Sequence, residues 1–135
     1  MISVVASSAL WLSAALMTTS EGATWAYVSE GNQGSLWYVD TGSLRDTPDD
    51  DGQPVRQVLI KTQYAAVKTG PAKEIKRVVL FKCSEELSKT LSYTEYNPLG
   101  EATRSYAYPL PAYDAVIPGT VLAGAMAKAC TTQPK

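Results

Sequence analysis

Four aspartates close together in the sequence are the first residues that could do chemistry, because clustered carboxylates are the ligands that Ca²⁺ prefers. They are Asp46, Asp49, Asp50 and Asp51, followed by a glycine. Their spacing does not follow the calcium-binding EF-hand loop, which takes ligands at alternate positions and closes on a bidentate glutamate. The composition of the surrounding residues, 46–54, is typical of turns throughout. The segment therefore predicts a solvated acidic loop rather than a metal site.

Other residue types exclude most forms of catalysis. The chain contains no histidine, which removes Ser-His-Asp and Cys-His catalysis and imidazole-ligated metals. Glu85 and Glu86 are adjacent and cannot flank a glycosidic bond as two catalytic carboxylates do. Gly119 and Gly124 lack the lysine and hydroxyl of a phosphate-binding loop. The sequence predicts a non-enzymatic protein without a cofactor, since catalysis would need a cleft that joins distant carboxylates or Tyr/Lys pairs.

Basic side chains are concentrated in the middle of the chain. Such a cluster can attract an anionic partner, for example a heparin-like chain or an acidic protein surface. Lys76 and Lys82 nevertheless alternate with apolar residues, as on an exposed strand face, where lysine also blocks edge-to-edge aggregation. We favour this second interpretation and keep the first as a hypothesis. The basic candidates for partner binding are Lys61, Lys73, Lys76, Arg77 and Lys82.

Tyrosines on both sides of the turn-forming residues 97–100 are a second candidate for binding. Cross-strand aromatic packing explains most of them. A platform for a ligand is the alternative, because aromatic residues are enriched at binding surfaces. The tyrosines that we name as candidates are Tyr93, Tyr96, Tyr106 and Tyr108.

The first residues of the chain have the pattern of an export segment. Residues 2–17 carry no charge and include several serines, and they are shorter than the roughly 20 apolar residues of a membrane span. A secretory hydrophobic region fits better than the buried helix of a cytosolic protein. No lysine or arginine precedes Arg45, so the basic start of a signal is missing and we expect the true start upstream. We assign residues 1–23 to a secretory signal segment and residues 24–135 to one domain.

Alternation of apolar and polar residues predicts strands in most of this domain. The clearest strand covers residues 75–83, where Val79 and Phe81 share one face. After residue 118 the apolar residues recur with the period of a helix, up to residue 130. The fold class is therefore α+β: a single antiparallel sheet of about six strands with a C-terminal helix packed on one face. The strands are predicted at residues 25–30, 36–40, 55–64, 75–83, 91–96 and 102–108.

The two cysteines of the chain lie at the ends of these elements. Cys83 ends a strand on the same face as Phe81, and Cys130 ends the apolar face of the helix. In an exported protein this placement predicts one disulfide that joins helix to sheet. A redox pair would usually be Cys-X-X-Cys, and zinc would need further ligands. The bridge should stabilise the fold by about 4 kcal/mol on the chain-entropy model.

Several motifs in order resemble the surface-adhesin protein E family of Gram-negative bacteria. They are LWYVDTGSL at 36–44, VRQV at 55–58 and the strand that ends in Cys83. The ending AVIPGTVL at 115–122, followed by Cys130, is similar to the family's Ile-Pro-Gly-Ser/Thr ending with its closing cysteine. The resemblance extends from about residue 25 to residue 130. It implies an antiparallel sheet whose concave side holds a C-terminal helix through a disulfide.

The resemblance also implies a function. The family's best-known member is an outer-membrane adhesin that binds host epithelium and extracellular-matrix or plasma proteins, and it can dimerise. We therefore expect an exported adhesin-like protein with host matrix or plasma proteins as partners, which can form a homodimer and is periplasmic, secreted or on the surface of a Gram-negative bacterium. The isoelectric point near 5.4 argues against nucleic acid as a partner.

The alternative function is a periplasmic module that binds a peptide or small ligand, or inhibits a cell-envelope enzyme, on the open face of the sheet. A deep apolar pocket between helix and sheet would favour this alternative. A filled core would favour binding to proteins instead.

Overall fold

The computed structural model of the protein describes residues 22–68 and 70–134. Residues 1–21 of the predicted secretory segment lie outside the described residues. The described part of the chain forms one α-helix and eight strands, with a short 3-10 turn at Asn32–Gly34. The elements in chain order are β1 (Trp25–Glu30), β2 (Leu36–Asp40), β3 (Arg45–Pro48), β4 (Pro54–Tyr64), β5 (Lys73–Lys82), β6 (Leu87–Tyr96), β7 (Ala102–Ala107), β8 (Asp114–Ala115) and α1 (Val121–Thr131).

All strands belong to one sheet, and every pairing in it is antiparallel. The order across the sheet is β1-β2-β4-β5-β6-β7. The two short strands extend its edges, because β3 pairs with the first half of β4 and β8 pairs with the start of β6. The predicted antiparallel sheet with a C-terminal helix is confirmed, with eight strands in place of about six.

The two missed strands are short and carry few of the residues that favour strands. In β3 the sequence is Arg-Asp-Thr-Pro, which is typical of a turn, yet Thr47 pairs with Val55 and Asp46 with Arg56. Pairing with a long neighbouring strand outweighs the weak preference of the segment itself. Part of the predicted acidic loop is therefore the hairpin of β3 and β4.

The helix packs on one face of the sheet, against β1, β2 and β4. Its small side chains Ala125 and Ala129 are fully buried, and a Cβ on Gly124 would come within 3.1 Å of Val28 Cγ1. Small residues thus allow a close approach of helix to sheet. The core that this approach closes consists of Val39, Leu44, Val58, Ile60, Val79, Phe81, Val116, Ala125 and Ala129.

Alternation along the strands gives the sheet two different faces. In β4 the buried residues Val58, Ile60 and Thr62 point toward the helix, whereas Leu59 and Lys61 point away from it. We call the side that carries α1 the helix face and the opposite side the free face.

The carboxyl end of α1 is attached to the sheet at two places. A disulfide joins Cys83 to Cys130, as predicted. Next to it, Arg56 Nη1 of β4 donates to the carbonyl oxygens of Ala129 at 2.7 Å and Thr132 at 2.9 Å. These carbonyls have no helical partner, and a cation offsets the partial negative charge of a helix end.

Candidate functional site

The structure distributes the predicted binding residues over both faces of the sheet instead of one patch. Lys61, Lys76 and Tyr96 lie on the free face. Lys82 also lies there, but at the other end of the strands and in contact with the acidic turn. The candidates on the helix face are Lys73, Arg77, Tyr93, Tyr106 and Tyr108.

A continuous row of side chains crosses the free face from strand to strand. Each member is the direct cross-strand partner of the next, from β1 through β2, β4, β5 and β6 to β7. Two tyrosines are followed by two lysines and then by two hydroxyl residues. We call it the free-face row; its members are Tyr27, Tyr38, Lys61, Lys76, Thr94 and Ser105.

Aromatic rings hold both lysines of the row over the sheet. Lys61 Nζ lies 4.3 Å from the ring centre of Trp25 and 4.8 Å from that of Tyr38. Lys76 Nζ lies 4.7 Å from the ring centre of Tyr96 and 5.7 Å from that of Trp25. A cation over an aromatic face is attracted by the ring quadrupole. The ammonium groups of both lysines therefore lie near the same indole ring. The two lysines are also cross-strand partners, so their like charges repel each other.

Negative charge near the two lysines is limited. Glu74 Oε2 lies 3.7 Å from Lys76 Nζ, and Gln63 Nε2 donates to Glu74 Oε1 at 3.2 Å. Among residues 22–68 and 70–134, Lys61 has no carboxylate oxygen within 4 Å. Lys61 and Lys76 are direct partners in the register, and like charges directly opposite each other are destabilising. The row thus keeps a positive centre with one neighbouring carboxylate.

The tyrosines of the helix face pack on one another. The ring centres of Tyr93 and Tyr106, which are cross-strand partners, lie 5.9 Å apart. Tyr108 completes the cluster, at 5.0 Å from Tyr106 in an edge-to-face arrangement. These distances and angles are those of favourable aromatic pairs. The predicted cross-strand packing is confirmed for these three residues.

Two basic candidates of the helix face contact neighbouring residues of the sheet. Arg77 Nη1 donates to Thr62 Oγ1 at 2.9 Å, and its guanidinium lies 5.5 Å from the ring centre of Trp37. Lys73, at the start of β5, lies 5.7 Å from the ring centre of Tyr64. Arg77 in particular stabilises the sheet through its contacts with Thr62 and Trp37.

The acidic turn is not a solvated loop throughout, and that expectation is wrong for Asp49. Its side chain is only 6% exposed, because the turn between β3 and β4 folds onto the free face. Lys89 Nζ lies 3.2 Å from Asp49 Oδ1, and Lys82 Nζ lies 3.7 Å from Asp49 Oδ2. The turn therefore supplies an internal negative charge that neutralises Lys82 and Lys89.

Tyr113 closes this cluster from the segment before β8. Its ring centre lies 4.4 Å from Lys82 Nζ and 4.5 Å from Lys89 Nζ. The buried hydroxyl forms no hydrogen bond of regular geometry within the described residues, although it interacts with the carboxylate of Asp49. Burial and the negative charge of Asp49 raise the pKa of Tyr113, so the phenol stays protonated at neutral pH.

The pKa of Asp49 lies below its ordinary value of 3.8. Burial alone would raise this pKa, but the backbone hydrogen bond from Asp50, the neighbouring hydroxyl of Tyr113 and the hydrogen bond and positive charge of Lys89 outweigh it. A carboxylate whose pKa is lower in the folded protein stabilises the fold at pH values above the pKa that it has in the unfolded chain. This contribution is lost as the pH falls through the lower, folded pKa.

Acid should consequently release the turn. We expect Asp49→Asn to lower the free energy of unfolding at pH 7 and to have progressively less effect below about pH 4. Denaturant unfolding of both proteins between pH 7 and pH 2 measures this difference. Asp50→Asn is the matched control, because the Asp50 side chain is 100% exposed. If the free energies of unfolding of the wild type and Asp49→Asn changed with pH in parallel, the stabilising role of the Asp49 carboxylate would be contradicted.

Two open grooves lie at one end of the sheet. One, of about 620 Å³, lies between residues 65–67 and 70–72 on one side and the turn from β6 to β7 on the other. The other, of about 870 Å³, lies between the 3-10 turn and the amino end of α1. Gln33 and Tyr64 line both. Between the middle of the helix and the sheet the core is filled.

The sequence analysis did not name Tyr27 and Tyr38 of the free-face row, or the neighbouring Trp25, as candidates for binding. The signal was the alternation in β1, where Trp25 and Tyr27 are separated by the small Ala26. That pattern predicts a shared face, but it does not tell which face the helix covers.

Within residues 22–68 and 70–134, no group of three or more Cys, Asp or Glu side chains is arranged to hold a metal ion. In the same part of the chain, no helix has the length and apolar character needed to span a membrane.

Comparison with known proteins shows the family of the chain. No curated protein matches the chain significantly, and no solved structure does either. The profile of the family described as Surface-adhesin protein E matches residues 25–131, which include every strand and the helix. The chain belongs to the surface-adhesin protein E family.

Proposed function

We propose that the protein is an exported, non-enzymatic adhesin domain that attaches a Gram-negative cell to host extracellular-matrix or plasma proteins or to host cell surfaces, and that the free face makes the attachment. Membership of a surface-adhesin family supports the general role. The observation that carries the choice of surface is the free-face row with the indole of Trp25. It combines exposed aromatic area with two cations on a face that the helix leaves open.

The chemistry of the row suits a macromolecular partner. Aromatic side chains supply large rigid contact areas at low entropic cost, and they are enriched at interfaces. Tyr27 is 51% exposed. The lysines add a charge that attracts an anionic surface and raises the rate of association. The free-face row therefore offers both aromatic contact area and positive charge to a macromolecular partner.

A filled core argues for a surface of this kind over an internal ligand site. Val39, Ile60, Ala125 and Ala129 are fully buried where the helix meets the sheet. A small ligand usually lies in a deep, largely apolar pocket. The two grooves at the end of the sheet are open rather than deep, and they are the observation that favours the second candidate, a periplasmic module for peptides or small ligands.

Charge reversal in the row tests the proposal. We expect Lys61→Glu/Lys76→Glu to weaken binding to immobilised matrix and plasma proteins at least tenfold, because two attractive charges become repulsive. Surface plasmon resonance of the purified full chain measures the affinity, and circular dichroism checks the fold. Lys128→Glu, on the helix, is the matched control and should bind like the wild type. Equal binding by the double variant would reject the free face as the adhesive surface.

Location tests the export half of the proposal. Antibody and protease applied to intact cells should reach the protein if it is displayed on the surface. Protection from both, with release by outer-membrane permeabilisation, would favour the periplasmic candidate instead.

A further inference from the structure

We infer that the free-face row is a track for a sulfated glycosaminoglycan chain, which lies across the strands with its sulfates at Lys61 and Lys76. This inference rests on the proposed function and names the chemical class that the adhesive face recognises. Three features of the row carry it: its continuity across six strands, its unbalanced charge and the order of its side chains.

The shape of the row fits a linear chain. Six adjacent strands contribute one side chain each, in direct register. Neighbouring strands lie about 4.8 Å apart, so the row extends for roughly 24 Å. A linear polysaccharide can follow such a row from strand to strand. The length corresponds to an oligosaccharide rather than to a single sugar.

The charge of the row is arranged for an anion. Lys61 and Lys76 are direct cross-strand partners, and such like-charged pairs destabilise a sheet unless an opposite charge is supplied. Elsewhere on the same face, Lys82 and Lys89 receive that charge from Asp49. The central pair receives only Glu74, on Lys76, within the described residues. A sulfate that contacts both ammonium groups would relieve the repulsion with charge-assisted hydrogen bonds.

The order of side chains fits a sugar rather than an acidic polypeptide. On one side of the lysines, the rings of Tyr27 and Tyr38 meet edge to face at 5.7 Å, and Tyr27, which is 51% exposed, offers apolar surface for the C–H face of a sugar ring. On the other side, Thr94 and Ser105 present hydroxyl groups whose oxygens lie 3.0 Å apart. Stacking, anion pairing and hydroxyl hydrogen bonds are thus available in sequence along one line.

Glu74 gives the inference its sharpest test, because it competes with the ligand for Lys76. Glu74→Gln should strengthen binding to a heparin oligosaccharide several-fold, since the competing negative charge disappears while the side-chain volume is retained. Lys61→Gln should weaken the same binding about tenfold and reduce its dependence on salt by about one counterion. Lys128→Gln, with the same loss of charge on the helix, should leave both unchanged.

Isothermal titration calorimetry of the full chain with heparin oligosaccharides between 50 and 300 mM salt measures these effects. A gain of affinity in Glu74→Gln cannot result from misfolding, so the test holds even if a lysine variant is unstable. Unchanged affinity in both Glu74→Gln and Lys61→Gln would overturn the inference. Equal affinity for polyglutamate would also overturn it, in favour of an acidic protein surface.

A further comparison separates this inference from the proposed function. Binding to matrix proteins both before and after heparinase treatment, without binding to heparin, would leave the adhesin function standing and reject the glycan. Binding to heparin without binding to any host matrix or plasma protein or host cell would support the glycan track and reject the proposed function.

Discussion

The double variant Cys83→Ser/Cys130→Ser is expected to lose about 4 kcal/mol in its free energy of unfolding. The bond closes a loop between residues that are 47 positions apart, and a closed loop of this length removes much of the conformational entropy of the unfolded chain. Small domains are stable by only about 5–15 kcal/mol, so the loss is a large part of the total.

Denaturant unfolding of the oxidised wild type and the double variant measures this loss. Wild-type protein reduced with dithiothreitol is the matched control, because it lacks the bond but keeps both sulfur atoms. It should unfold at nearly the same denaturant concentration as the double variant. A difference between oxidised wild type and double variant below about 1 kcal/mol would show that the disulfide contributes little to the stability of the fold.

Replacement of Arg56 by methionine should have the second largest effect, a loss of about 2–3 kcal/mol. The side chain is 14% exposed and bridges three acceptors, which are the carboxylate of Asp46 and the carbonyls of Ala129 and Thr132. Methionine retains much of the apolar volume but none of the donors. The last carbonyls of the helix would then lie near apolar surface without a partner.

Two further variants separate the contributions of Arg56. Asp46→Asn removes only the ion pair, and because the Asp46 side chain is 54% exposed, we expect a loss below about 1 kcal/mol. Arg56→Lys keeps the charge but cannot reach all three acceptors at once, so it should fall between the other two. The same denaturant unfolding measures the stability of all three variants. A larger loss for Asp46→Asn than for Arg56→Met would place the main stabilisation in the ion pair instead.

The regular elements of the fold could be predicted because burial imposes a period on them. Val79 and Phe81 of β5 and the small residues of α1 follow the strand and helix periods, and both meet in one core. Cys83 and Cys130 end these two elements, so their pairing followed from the same pattern. The start of β6 was missed since Ser88 and Lys89 carry no apolar signal, although both are paired with β5.

The free-face row could not be read from the sequence because it depends on register. Irregularities interrupt the pairing between Tyr27 and Ser29, between Val78 and Val79, and again next to Tyr96. A shift of one residue moves every side chain of a strand to the other face. The sequence pattern therefore identified lysines and tyrosines as candidates for binding. It did not show that Tyr27, Tyr38, Lys61 and Lys76 are successive cross-strand partners.

The acidic turn shows a second limit of sequence reasoning. The composition around Asp49 is typical of exposed turns, and Asp50 is indeed fully exposed. The burial of Asp49 results from Lys82, Lys89 and Tyr113, which belong to distant parts of the chain. Tertiary contacts of this kind leave no local signal.

We propose that the free face, and not the helix face, attaches the protein to its host partner. Attachment of intact cells to immobilised matrix, with cells that display the wild type, Lys61→Glu/Lys76→Glu or Lys128→Glu at equal antibody-detected levels, tests it most directly. The account predicts that the double variant loses attachment while Lys128→Glu retains it. Full attachment by cells that display the double variant, or equal loss with Lys128→Glu, would contradict it.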